Sequence, residues 1–206
     1  MYTPPAFREE DVPTLHAAMR SAPLATLVTA GPEGPVGTPL PLFVDPDDGP
    51  FGTLHGHLAR ANPQWRAGTT AGLAVFMGPD AYVSPGWYAT KRETGKVVPT
   101  WNYLAVHASG VVDFYEDADR LHAVVSRLTA IHEAGRAEPW RVEDAPEAFV
   151  RAQLKGIVGL RMPIARLEGK RKMSQNRPAA DRAGVAAGLA ASEREGDRLA
   201  AEMIPE

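Results

Sequence analysis

Residues 100–115, TWNYLAVHASGVVDFY, carry the longest β pattern in the chain, interrupted only by Gly110. A glycine inside a strand pattern marks a bulge or bend, and a long bent strand suits a small barrel. The flanking sequence supplies the other strands. Residues 24–29 (LATLVT) alternate and are β-branched, GPEGP is a turn signal, and 36–44 (VGTPLPLFV) is extended, which together predict a hairpin. Pro39 and Pro41 remove two donors from one edge of that second strand, so it should be an edge strand or carry a bulge. Ten of the 19 prolines fall in the first 50 residues, and pairing there must be interrupted. Residues 51–57 (FGTLHGH) read as a third strand and 71–77 (AGLAVFM) as a buried fourth that can run on through AYVS. The final strand is 157–167, leading into EGKRKM.

Helical spacing appears between and around these strands. Val12, Leu15, Ala18, Met19 and Ala22 recur at helical intervals within 7–22, with Asp11 as N-cap. A short helix is expected over 59–66, a strong one over 117–133 with its stripe on Leu121, Val124, Val125, Leu128 and Ile131, and another over 147–154. A last helix would place Val185, Leu189, Ser192, Gly196, Leu199 and Met203 on one face. Six strands, early hairpins and helices of unequal length predict an α+β, mainly β fold: a six-stranded antiparallel Greek-key barrel with peripheral helices. At 206 residues this should be a single domain over the whole chain, with the barrel at about 24–174 and a helical tail at about 180–204.

Composition narrows the chemistry. With no cysteine, the chain has no disulfide, thiolate metal site or cysteine nucleophile. No basic leader precedes an apolar stretch and no run of about 18 apolar residues occurs, so a soluble, cytoplasmic protein without a membrane partner is expected. The formal charge of −3 argues against whole-surface attraction to nucleic acid. Neither G-x-S-x-G nor a Walker or G-x-G-x-x-G sequence is present, which disfavours hydrolase, nucleoside triphosphate and Rossmann chemistry.

Three stretches carry more polar, aromatic or basic character than a plain barrel needs. In LHGHLARANPQW, His55 and His57 share one strand face, and Arg60 and Asn62 follow at a helix start. An anion such as a phosphate would find imidazoles, a guanidinium and free N–H groups there, while an exposed strand end explains the same residues without a ligand. Two histidines with no nearby carboxylate make a zinc site a poor reading, and no metal is expected. In AYVSPGWYATKRETGKVVPTWNYLAVH, Tyr82, Trp87, Tyr88, Trp101 and Tyr103 form either a core corner or a slot for a planar ring. Their mixture with Ser84, Lys91, Thr100 and Asn102 favours the slot, since buried polar groups need partners. In residues 166–182, Arg166, Lys170, Arg171, Lys172, Arg177 and Arg182 face only Glu168 and Asp181, a local charge of +4 against −7 for the remainder. That run is a solvated face, a phosphate site using Lys170, Lys172 and Ser174, or a contact for a nucleic-acid backbone.

The blocks MYTPPAF, GHLARANPQW, YVSPGWYATKRETGKVVPTWNYLAVHASG and GKRKMSQNRPAADRAGV resemble the PaiB family of FMN-binding negative transcriptional regulators along nearly the whole chain. The resemblance implies an FMN-binding split β-barrel related to flavin reductases and pyridoxine phosphate oxidases, working as a homodimer with sites at the subunit interface. It implies that His55, His57, Arg60 and Asn62 face the FMN phosphate and that Trp101 and Asn102 line the ring. Lys172, Ser174 and Gln175 would form a second wall that a partner subunit could donate. DNA is an implied partner, although no helix-turn-helix is visible. Two alternatives stay open: an FMN-dependent oxidoreductase acting on a small molecule, and a split barrel whose histidines bind haem or another ligand. No catalytic residue is assigned.

Overall fold

The computed structural model describes residues 1–31 and 33–206; Pro32, in the sequence GPEGP, lies outside them. Six long strands form as expected: β2 (Leu24–Gly31), β3 (Gly34–Asp45), β4 (Thr53–Ala59), β5 (Thr70–Val83), β6 (Thr100–Tyr115) and β7 (Ile157–Lys172). A two-residue strand, β1 (Arg8–Glu9), adds to the edge of β7. The sheet order is β1-β7-β4-β3-β2-β5-β6, and a further β7–β6 pairing closes the six long strands into a ring.

The proline-rich strand β3 is not an edge strand, and its register shows how it tolerates its prolines. It pairs with β2 through Pro39 and Pro41, but its pairing with β4 begins only at Leu42 opposite Gly56. The Leu42 N–H turns toward the β2 side, donating to Pro23. Alternation then aims the donorless nitrogens of Pro39 and Pro41 at the side where β4 has not yet joined.

The helices are α1 (Val12–Ser21), α2 (Thr90–Thr94), α3 (Ala118–Glu133), α4 (Glu147–Leu154), α5 (Ala179–Ala190) and α6 (Glu195–Glu202). Asp11 caps α1 by accepting from the Thr14 N–H and hydroxyl. Asp117 caps α3 through the Arg120 N–H. The short helix expected over 59–66 is a 3-10 turn, Pro63–Ala67. The single terminal helix expected from its apolar face is instead two. Ser192 hydrogen-bonds to Asp197 and accepts from the Arg194 N–H, so local side-chain bonds replace the helical ladder between α5 and α6.

Contacts gather into two compact units. Unit 1 comprises Met1–Ala18, Met77–Val106 and Glu168–Glu206; unit 2 comprises Met19–Phe76 and His107–Leu167. Strands β5, β6 and β7 each contribute residues to both. In unit 2, Leu27, Leu54, Leu58, Phe76, Val112, Leu160 and Met162 are buried at the sheet. Tyr115, Leu121, Val124, Leu128 and Leu154 form a further buried cluster with α3 and α4. Unit 1 buries Leu15, Val83, Tyr88, Leu104, Met173, Val185 and Leu189. Among the described residues no helix is long and apolar enough to cross a membrane.

Candidate functional site

In unit 1 the last residues of β7 and the first of β6 form a small recess of about 190 Å³, lined by Phe7, Thr100, Asn102, Lys172, Ser174, Asn176 and Arg177. Thr100 and Asn102 are two apart on β6 and therefore share a face. Lys172 ends β7 and donates from Nζ to the Thr100 hydroxyl. Asn102 and Ser174 are both buried, and their side chains hydrogen-bond at 3.1 Å. Ser174 has φ of 60°, the single positive φ of a non-glycine among the described residues. A backbone held in that region costs roughly 1 kcal/mol or more and persists where its surroundings fix it. Here the Asn102 bond and the turn after β7 do so.

The electrostatics of the recess are one-sided. Burial, and after it the charges of Lys170 and Arg177, push the Lys172 ammonium below its ordinary value of 10.5. Lys170 is itself buried, donating to the Tyr2 carbonyl and lying 5.2 Å from the Tyr103 ring centroid. The Arg177 guanidinium sits 4.9 Å over the Tyr88 ring. No carboxylate among the described residues pairs with any of the three. Asp181, the nearest buried acid in sequence, is occupied by the Thr90 N–H and hydroxyl. The two cations that line the recess, Lys172 and Arg177, with two hydroxyls and an amide make a donor set that suits a phosphate.

Trp101 falls between Thr100 and Asn102 and so takes the opposite face of β6, where it is half-exposed and packs edge-on against Tyr82 at 6.3 Å. Gln175 does not line the recess. It accepts from the Met173 N–H and donates to the Arg171 carbonyl, holding the turn that carries Ser174. Phe7 and Asn176 carry no local signal that marks them as site residues. Arg177 stands out in the sequence only as one of six basic residues in 166–182.

The histidine segment lies in unit 2 and is placed differently. His55 and His57 share one face of β4, as alternation requires, and α3 covers that face. His55 stacks on Phe43 at 5.2 Å and lines a recess with Val124 and Arg127. His57 faces Val125 and Thr129 of α3 and Ile157 of β7. Burial pushes both imidazoles below 6.5, with Arg161 adding to the effect at His55.

Arg60 is engaged by its own unit. It pairs with Glu116 and donates to the carbonyls of Lys155, at the C-terminal end of α4, and Ile157. Asn62 accepts from the Gln64 N–H and donates to Thr38. Gln64, buried, reaches Leu27, Thr29 and Val36 on the β2–β3 hairpin. The NPQW sequence is thus a clip that pins the 3-10 turn to the hairpin.

Two expected results follow from these placements. Arg60→Ala should lower the stability by about 1 kcal/mol, the scale of a helix-terminal cation and its hydrogen bonds. For a chain of this length that is a drop in Tm of roughly 2–4 °C. Because the folded state holds both imidazoles below 6.5, their stabilising neutrality is complete above that pH and is lost as pH falls through 6.5 toward the depressed values. Thermal melts should therefore show Tm falling between pH 7 and pH 5, with a shallower fall in His57→Phe.

A closed ring of mostly antiparallel strands with peripheral helices is a split β-barrel, here with a cationic, hydroxyl-rich recess at the β6–β7 end. Solved structures agree on the fold. The FAD- and haem-binding protein of Mycobacterium smegmatis matches with a TM-score of 0.61 at 16% identity, over 80% of this chain and 73% of that one. The flavocytochrome Anf3 of Azotobacter vinelandii matches at 0.55 and 14%, over 80% and 69%.

The family described as "Putative FMN-binding domain" matches residues 1–166. Protease synthase and sporulation protein PAI 2 of Bacillus subtilis is 32% identical over 99% of this chain and 96% of its own length. An uncharacterized protein of Aspergillus fumigatus is 38% identical over 92% and 90%. The chain belongs to this FMN-binding family, the PaiB family.

Proposed function

We propose that the protein is an FMN-binding regulator of the PaiB type and that the unit-1 recess takes the phosphate end of the cofactor. The observation that carries the proposal is the recess itself, where Lys172 and Arg177, with no carboxylate partner among the described residues, line one wall with the Asn102–Ser174 pair. Lys172, Thr100 and Ser174 would bind the phosphate, and Asn102 would fix the Ser174 hydroxyl. At about 190 Å³ the recess admits a phosphate and part of a chain behind it, well below the roughly 300 Å³ minimum usual for a whole cofactor pocket. The flavin ring therefore needs a further wall. The half-exposed Tyr82–Trp101 pair offers an aromatic surface of the right kind to a second copy of the chain, consistent with a homodimer. When bound, FMN supplies redox chemistry; the chain's own residues supply binding and orientation.

The regulatory reading draws on the near full-length match to the Bacillus relative, whose name ties it to protease synthesis and sporulation. It is tested by mobility shifts of promoter fragments over a salt series. Fragment-specific binding that weakens steeply with salt supports it, and binding without preference counts against it.

One observation favours the oxidoreductase reading. Much of the basic stretch turns onto its own chain, Arg171 to the Met203 carbonyl and Arg182 to the carbonyls of Arg177, Pro205 and Glu206. Those side chains keep their charge but already have partners in their own chain. Anaerobic bleaching of the FMN-loaded protein by a nicotinamide cofactor would establish that activity. An absorption spectrum followed by FMN titration tests the flavin proposal itself, and a protein whose Tm FMN does not raise would refute it.

A further inference from the structure

Lys170 is the one buried lysine among the described residues, yet it does not line the cationic recess. Its Nζ donates to the Tyr2 carbonyl at 3.1 Å and lies 5.6 Å from the Tyr2 ring and 5.2 Å from the Tyr103 ring. The backbone of the same residue pairs with Arg8 of β1, beside Glu9 opposite Gly169. Lys170 therefore grips the N-terminal segment on both sides of Phe7. Between Tyr2 and Phe7 stand Pro4 and Pro5, whose rings fix φ and stiffen the link, and the Phe7 N–H closes a turn onto the Pro4 carbonyl. No residue of that turn is buried, so the segment has no core of its own. It lies directly on β7: a Cβ built at Gly169 would fall 2.9 Å from the Glu9 carbonyl oxygen. The Met1 ammonium adds a second tie, to Glu168 at 3.0 Å.

Phe7 is the one apolar side chain that lines the recess. A ring there keeps water from Lys172 and Arg177, and charge-assisted bonds to an anion strengthen as the local dielectric falls. We propose that Lys170 is a positioning residue for the recess, holding residues 2–9 as a strap on β7 so that Phe7 forms its apolar wall. The inference rests on the reading of this recess as the FMN phosphate site and adds a regulation of it. Strap order and phosphate affinity are coupled, so bound phosphate must tighten the strap by the same factor by which the docked strap tightens phosphate.

The test uses the chain with its N-terminus untagged, and follows amide hydrogen exchange in residues 2–9 together with FMN affinity by fluorescence titration. In wild type, FMN should slow exchange in the strap. Lys170→Met keeps an unbranched stem but loses the donor and the charge; it should speed strap exchange without flavin and weaken FMN about 5- to 10-fold, the lower range for coupled sites. Lys170→Arg, which retains donor and charge, should restore most of both. In a Phe7→Ala background Lys170→Met should cost about twofold or less, because the wall it positions is already gone. A lysine acting on the phosphate through its charge alone would cost the same in both backgrounds. The proposal is overturned by such additive losses, by strap exchange in Lys170→Met that matches wild type, or by FMN that raises the Tm without slowing strap exchange. If FMN leaves the wild-type Tm unchanged, the FMN reading and the coupling fall together, while strap exchange in Lys170→Met without flavin still decides whether Lys170 holds the strap.

Discussion

Lys172→Ala should weaken FMN binding by about 10- to 100-fold and leave riboflavin almost unaffected, because a charge-assisted hydrogen bond to a phosphate contributes roughly 1.5–3 kcal/mol and riboflavin has no phosphate to lose. Fluorescence titration of the two flavins against wild type and variant gives the result directly. Equal losses for both ligands would move Lys172 off the phosphate. A pH series adds an independent signature. The Lys172 ammonium is held below its ordinary value by burial, Lys170 and Arg177. In the free protein it therefore deprotonates at lower pH than a solvent lysine, and FMN affinity should decline on the alkaline side sooner than an unperturbed lysine would dictate. Bound phosphate favours the charged form, so FMN should raise this pKa and take up protons where the free protein has begun to lose them. Lys172→Arg keeps charge at all accessible pH and should flatten the decline.

That Lys172 could be singled out at all rests on the pleat. In KRKMS the alternation of Lys170, Lys172 and Ser174 is legible as one strand face, and β7 runs to Lys172 as that pattern requires. What the residues could not reveal is that the chain turns at Ser174 with a positive φ, since serine carries no signal for that region as glycine does. Nor could they show that Thr100 and Asn102 arrive from β6 to meet it. Alternation likewise placed His55 and His57 on one face of β4, but said nothing of what covers that face. The covering helix, α3, lies some sixty residues further along, and such long-range pairing is absent from local periodicity. The GHLARANPQW block marks the same limit from another side. Its polar residues look like ligand-binding groups because both uses need donors and acceptors, and the structure gives Arg60, Asn62 and Gln64 partners in their own unit.

Gly110→Ala should be among the most destabilising single-methyl changes in the chain. The sequence marks Gly110 as a bulge or bend, whereas the structure gives a close approach: a Cβ built there would lie 2.1 Å from the Pro163 carbonyl oxygen and 3.1 Å from the Met162 side chain. The obstacle is backbone on β7, and it cannot rotate away. Met162, fully buried, is held in the core beside it. Relief requires β6 and β7, the pair that closes the ring of strands, to separate at this close approach. Overpacking of this kind costs ~1–3 kcal/mol, occasionally more, and a rigid neighbour places it at the upper end. At about 3 kcal/mol the expected loss in Tm is roughly 6–12 °C for a protein of this size. Gly135→Ala is the matched control. It adds the same methyl where nothing lies within 4 Å and its φ is not positive, so stability should hold or rise slightly as the unfolded chain loses freedom. Calorimetric melts of the two variants decide the point. A Gly110→Ala protein that melts with Gly135→Ala would mean that β6 and β7 have slack at their crossing, and that the ring closes without the intimate contact that excludes a side chain here.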